Sequence, residues 1–405
     1  MGTNGLEKIP TVGKLKDLSN SYYESISTAR DRGDYVGYVT AVYPVEILRA
    51  MDILPFYPEN YAVICAARKM TVELSDVAEA QGYARDLCSY ARCGMGSIFY
   101  EKPNPLGSMA PPDFLLPCNT QCGTLTKWFE AMGKILDAPV VLLDAPFVRG
   151  AVPYRHGLQY FIDQLRELVW FLEERIGKKL DLDRLREVLN FSAQACALWN
   201  EVLDLAQNQP APWTIFDEYI HMAPIVTHRG TKECVDYYRE LRAFLIRRVS
   251  DSFAAVPTEK HRFYWDNIPM WFRLRPQSEL MASHGVAVLA SLYTHSWAYC
   301  FDTKDPYKSL AENYLRVFSN MDIERRTALT LDLMDRYSLN GYIFHSNRSC
   351  KSTAFGIYDI MGLISEKTAI PGLIFEADMG DPRYFSEEQY KLRLETYLEL
   401  LETQR

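Results

Sequence analysis

The stretch Gly341–Lys351 reads GYIFHSNRSCK. Its first four residues, Gly341-Tyr342-Ile343-Phe344, are apolar and aromatic and suit a short buried strand. His345-Ser346-Asn347-Arg348 reads as a polar turn, and from Lys351 to Lys367 apolar residues recur at helical spacing. The pattern predicts strand, turn and helix, with Cys350 at the helix N-terminus just past the carboxyl end of the strand. Exposed N–H groups and the helix dipole stabilise a thiolate in that position. Open α/β sheets also carry their ligands at that edge. The plainer reading of any one such residue is a buried free cysteine; here two more cysteines stand in similar places.

Working outward, the α/β rhythm continues on both sides. Arg262–Trp265, Val286–Leu292, Gly341–Phe344 and Gly372–Glu376 are strand candidates, and 305–318, 322–337 and 387–402 are helix candidates. Upstream, 154–176, 181–207, 213–223 and 231–248 carry 3.6-residue apolar periods with no strand between them, broken around Pro210 and Pro212. Further upstream the alternation returns. Residues 8–31 read as a helix, Tyr35–Thr40 as a strand and Pro44–Met51 as a helix opened by proline. Ile53–Tyr57 is a strand closed by Pro58-Glu59-Asn60, and 70–82 is a helix. The Gly- and Pro-rich run between Cys88 and Pro112 reads as a long loop. Asp113–Leu116 and Pro139–Leu143 are strands around a helix at Gly123–Leu136. Short strands alternating with helices indicate βαβ units around parallel sheets. The expected fold is α/β: two α/β domains with small parallel sheets of Rossmann or flavodoxin type (1–150 and 256–405) and a helical domain between them (151–255). No internal repeat is evident.

The chain has 405 residues, enough for two or three domains. It is 48% hydrophobic with a net charge of −8, so it has no basic stripe for a nucleic-acid backbone. Its apolar runs are too short for a membrane span. The N-terminus shows no apolar signal core, and a cytoplasmic location is expected.

Nine cysteines stand at 65, 88, 93, 118, 122, 196, 234, 300 and 350. An odd number without small-scaffold spacing argues against a disulfide framework. Cys65, Cys196, Cys234 and Cys300 sit in apolar or helical surroundings and are expected to be simply buried. Cys88 follows a turn. Cys122 and Cys350 each follow a strand where a helix begins, so a shared site in a cleft between the α/β domains is compatible with the sequence. No CxxC pair is present, and thiolates on separate loops suit an iron–sulfur cluster as well as zinc.

The chain from about residue 20 onward resembles the larger, α-type subunit of the 2-hydroxyacyl-CoA dehydratases, a family shared with the ATP-dependent benzoyl-CoA reductases. The marks are VGYVTAVYP at 36–44, YPEN at 57–60, DLCSYAR at 86–92 and PPDFLLPCNTQC at 111–122 with KWFE at 127–130. HSNRSCK at 345–351 and DPRYFS at 381–386 complete them. The resemblance implies a [4Fe-4S] cluster with one open iron, held by Cys88, Cys122 and Cys350; Cys118 is left as a non-ligand and Cys93 has no counterpart. It implies that a one-electron-activated (R)-2-hydroxyacyl-CoA loses water through a ketyl radical to give a 2-enoyl-CoA. The electron would come from a separate ATP-dependent iron–sulfur activator protein, and a smaller β-type subunit with its own cluster would complete a heterodimer. This chain has no GxxxxGK[ST] loop, which fits a receiver of electrons. Glu59 matches a family glutamate and is the expected base. His345 and Arg348 flank Cys350 and are candidates for binding substrate, although holding the turn would employ them equally. Several dehydratases carry a serine where this chain has Ala41, which leaves room for the aryl-CoA reductase branch. An electron-transfer protein without a substrate of its own is a further alternative.

Overall fold

The computed structural model describes residues 9–102, 107, 109–150 and 154–403. Two small, separate parallel sheets stand in a mainly helical α/β chain, as expected. In the first sheet β1 (Val36–Val39) lies between β2 (Leu54–Phe56) and β3 (Phe114–Leu116). Val140 and Leu143 then make isolated parallel bridges to Leu115 and Cys118. The expected strand Pro139–Leu143 thus takes the fourth place without completing a ladder, because Pro117 has no N–H to give to it. In the second sheet the order is β5 (Val286–Ala290), β4 (His261–Asp266), β6 (Gly341–Asn347) and β7 (Gly372–Ala377), all parallel. Counted from the start of each sheet, the order is second, first, third, fourth in both cases. The topology repeats although the sequence does not show it.

β1, β4 and β5 are buried along their whole length, as strands covered on both faces must be. Between the sheets the chain runs through helices Arg155–Ile176, Leu182–Asp204, Ile215–His221, Ala223–Thr227 and Lys232–Ser250. Asp181 and Thr231 accept N–H groups at two of their starts, and Thr214 with Asp217 forms a capping box at a third.

A buried ionic knot ties this helical run to both sheets. Glu46 and Arg229 are fully buried and paired at 3.1 Å. Glu46 also accepts the hydroxyls of Ser192 and Tyr314 at 2.8 Å each. Arg229 gives its remaining N–H groups to the carbonyls of Ile225 and Tyr43 and to the Tyr314 hydroxyl. A buried charge pair this fully bonded adds little net stability, but loss of one partner would strand the other.

Several elements differ from the sequence reading, each for a local reason. The polar run His345–Asn347 continues β6 and does not turn. It is paired with Phe375–Ala377, and the His345 ring stacks on Phe375 at 5.1 Å. Pro58 begins a helix, Pro58–Ala67, in place of a closing turn. The segment after Cys350 forms two helices, Lys351–Ala354 and Ile357–Thr368, parted at Gly356 with φ of +85°.

The long loop expected after Cys88 is in large part a helix, Ser89–Phe99; residues 103–106 and 108 of that run lie outside the described residues. Its glycines serve packing. A Cβ on Gly96 would come within 1.8 Å of the Leu74 carbonyl oxygen, and one on Gly94 within 2.4 Å of the Trp128 ring. Cys65, Cys196 and Cys234 are buried as expected, but Cys300 is exposed. It lies in the loop before helix Pro306–Leu315, where its backbone is held by Asn313 and no core closes over it.

Gly96→Ala should therefore destabilise the chain by about 2–4 kcal/mol, since the clash is with backbone. Gly362→Ala, on a helix position with nothing within 4 Å, should stabilise it by up to about 1 kcal/mol. Urea denaturation followed by circular dichroism measures both.

Candidate active site

Parallel sheets of this order leave a crevice at the carboxyl ends of the first and third strands, where the connections part to opposite sides. The two crevices face one cavity of about 340 Å³. Cys122 follows the third strand of the first sheet, β3, and Cys350 follows the third strand of the second, β6. Cys88 enters from the helix behind. Cys88, Cys122, Cys350 and Glu59 all line this cavity.

Each of the three cysteines is the N-cap residue of a helix: Ser89–Phe99, Gly123–Leu136 and Lys351–Ala354. The N–H groups of Ala91, Leu125 and Thr353 lie near the respective sulfurs, short of full capping bonds, and favour their ionisation. Burial outweighs them. It raises the Cys88 thiol well above its usual range, with Cys350 and Cys122 adding to the rise. Burial, then Cys350, pushes Cys122 up to about 11. Burial also raises Cys350, where Asp378 and Glu59 add to it and the Thr353 hydroxyl, 3.0 Å from the sulfur, opposes it. The three sulfurs are near enough to feel one another. Yet no set of three His, Cys, Asp or Glu side chains among the described residues converges as around a single metal ion.

The loops that carry the sulfurs are sewn together by the residues beside them. The Ser89 N–H donates to Ser349 Oγ at 3.1 Å, and that hydroxyl lies 3.3 Å from Ser89 Oγ. Ser352 Oγ donates to the Gln121 carbonyl at 2.6 Å. Buried Arg92 fixes the approach to Cys88 by donating to the Leu87 carbonyl at 3.1 Å while paired with Asp381 at 3.1 Å and Glu79 at 2.8 Å. No motif spacing announced Ser349, Ser352 or Gln121, although each stands beside a candidate cysteine.

Glu59 sits in the first turn of helix Pro58–Ala67, just after β2. Its Oε2 accepts the Ala41 N–H at 2.5 Å and its Oε1 accepts Gln121 Nε2 at 3.0 Å. The Gln121 Oε1 accepts the Val42 N–H at 2.9 Å, which sets the amide's direction. Both carboxylate oxygens thus face donors, an arrangement made for the charged form. Burial nonetheless raises the Glu59 carboxyl to about 7, with those two hydrogen bonds holding it down. A carboxylate poised there can give or take a proton near neutral pH.

His345 and Arg348 are not among the residues that line the cavity. His345 is fully buried in β6, with Nδ1 2.7 Å from the carbonyl of Ile268, a cavity-wall residue. Burial lowers its pKa, so the ring is neutral and donates that bond. Arg348 is exposed, paired with Glu376 at 3.1 Å and lying over the Tyr384 ring. Cys118 is buried and does not line the cavity; its sulfur lies 3.5 Å from Thr120 Oγ1. The remainder of the cavity wall is largely apolar, with aliphatic side chains and the rings of Trp128, Tyr219, Trp271, Tyr293 and Phe318. Trp128 Nε1 has no hydrogen-bond partner among the described residues.

With a metal-free, reduced chain at pH 8, iodoacetamide should label Cys300 first, and Cys88, Cys122 and Cys350 at least about tenfold more slowly, because the thiolate is the reactive form. Peptide mass spectrometry over a time course reads the order.

The profile of the family described as 2-hydroxyglutaryl-CoA dehydratase, D-component, matches residues 40–401. The chain is similar to the (R)-2-hydroxyisocaproyl-CoA dehydratase alpha subunit of Clostridioides difficile, at 32% identity over 96% of this chain and 95% of that one. It is 29% identical to the (R)-phenyllactyl-CoA dehydratase alpha subunit of Clostridium sporogenes, over 96% and 94% of the two chains. A benzoyl-CoA reductase subunit of Thauera aromatica is 30% identical over 97% and 94%.

Proposed function

The chain belongs to the 2-hydroxyglutaryl-CoA dehydratase D-component family, and from that premise we propose that it is the iron–sulfur subunit of an (R)-2-hydroxyacyl-CoA dehydratase, a lyase. The observation that carries this reading is the meeting of three N-cap cysteines from distant loops with a buried glutamate at one cavity.

The donor set fits an iron–sulfur cluster. Thiolates are soft ligands, and a cluster takes one at each of several irons, so its sulfurs stand farther apart than those around a single ion. Cys88, Cys122 and Cys350 would hold a [4Fe-4S] cluster. It would supply an open iron that polarises a thioester and an electron that makes the ketyl radical of the substrate, from which hydroxide can leave.

The chain's own residues supply the rest. The helix N-termini behind the three sulfurs offset part of the burial cost of their thiolate charge. The apolar wall excludes bulk water from a reactive intermediate. Glu59, ionised in about half the molecules near neutral pH, takes the proton from the β-carbon. Held by Ala41 and Gln121, it enters the reaction already oriented. The names of the relatives as alpha subunits support a second, smaller subunit, and the activator protein belongs to the same reading. Among the described residues no helix is long and apolar enough to cross a membrane.

A dearomatising aryl-CoA reductase is the second reading. Position 41 lines the cavity with a methyl group where several dehydratases carry a serine, and the Thauera protein is about as similar as the dehydratase subunits. Electron counting separates the two. A dehydratase needs electrons only to start, so ATP and reductant should be consumed far below product; a reductase consumes them in proportion.

The activated wild-type enzyme should show kcat/KM rising with pH through an apparent pKa near 7, since Glu59 must lose its proton to act as the base. Glu59→Gln should lower kcat by roughly a hundredfold or more and abolish that limb. Retention of both rate and limb in Glu59→Gln would remove Glu59 from the chemistry.

A further inference from the structure

We propose that the cavity accepts an uncharged acyl group, alkyl or aryl, and rejects an acyl chain that ends in a carboxylate. This rests on the reading above that the ligand is a CoA thioester. Family membership does not decide the point, because the family is described by a dicarboxylic acyl group while its members named above act on neutral ones.

No Lys, Arg or His is among the described residues that line the cavity, and Glu59 is its one acidic side chain. Several polar groups of the wall are already engaged, and Trp128 Nε1, which has no partner among the described residues, is an uncharged donor. Gln121 gives its amide N–H to Glu59, and Asn60 gives its own to the Tyr23 hydroxyl at 3.0 Å. The hydroxyls of Thr227, Ser296, Ser319 and Ser352 all donate to backbone carbonyls. Most of the remaining surface is apolar, including Val63, Met222, Val226 and Ile268 with the rings of Trp271 and Phe318.

A carboxylate brought into this space loses its water, meets no cationic side chain and shares the cavity with a second carboxylate. An alkyl or aryl group gains from the same walls by leaving water and packing against rings. Either end of the cavity treats the acyl chain alike, because no described lining residue has a positively charged side chain. A cavity of about 340 Å³, part of which the cluster would fill, is at the small end for ligand pockets, in keeping with a short branched or monocyclic acyl group.

The test uses unreactive thioesters that share the same CoA moiety, so that differences report the acyl group alone. Isocaproyl-CoA, 3-phenylpropionyl-CoA and glutaryl-CoA are titrated anaerobically into the complete protein as isolated, by calorimetry. The neutral thioesters should bind roughly a hundredfold more tightly than glutaryl-CoA. A preference of tenfold or more upholds the proposal. Glutaryl-CoA bound within tenfold of both, or binding of none of the three, overturns it. Turnover of (R)-2-hydroxyisocaproyl-CoA on the same preparation keeps the failures apart. Dehydration without an acyl preference defeats only this inference, and a preference without dehydration defeats only the functional reading.

Discussion

Two short hydrogen-bonded stitches govern the whole arrangement. Ser349 meets Ser89 across 260 residues of chain, and Ser352 meets Gln121 across 231. Each stitch lies next to a cysteine. Together they bring the carboxyl edges of two separate sheets to a common wall, so that sulfurs from three loops face the same small space. Either sheet alone would leave its crevice open to water. The Glu46–Arg229 knot and the Arg92–Asp381 pair perform the same service farther back. They are poor sources of net stability but demanding about geometry, because neither charge tolerates being left alone in the interior.

The electrostatics of the cavity follow from its dryness. Burial raises all three thiols and the Glu59 carboxyl together, so in the bare chain the neutral forms are favoured near pH 7 for the sulfurs and nearly balanced with the charged form for the glutamate. Thiols become strong ligands only by losing their protons. Cationic iron would be the partner that makes the thiolates affordable in this setting, while helix N–H groups contribute the remainder. Glu59 differs because donors already occupy both its oxygens, which is why burial moves it only to about neutral pH.

Much of this was legible in the sequence. The strand–cysteine–helix pattern at Gly341–Lys351 and at Asp113–Leu136 placed Cys350 and Cys122 at helix starts, and both are N-caps. Parallel sheets could be read from short buried runs alternating with helices. What escaped were features whose cause lies in tertiary contact. Gly94 and Gly96 look like loop residues until Trp128 and Leu74 are seen pressed against them. His345 looks like part of a polar turn until Phe375 offers it a flat partner in the next strand. Arg348 stands two residues from Cys350 yet faces outward, past the end of β6, where Glu376 and the Tyr384 ring hold it. The serine stitches carry no spacing signal at all, because each joins loops that only folding brings together.

The account stands or falls on the three sulfurs serving one metal group. Iron and acid-labile sulfide, measured anaerobically in the wild-type chain and in Cys88→Ala, Cys122→Ala, Cys350→Ala and Cys118→Ala, test this most directly. The account predicts about four irons and four sulfides per wild-type chain and in Cys118→Ala, with loss of most of both in each of the other three. Full iron and sulfide in any one of those three, with an unchanged cluster spectrum, would contradict it.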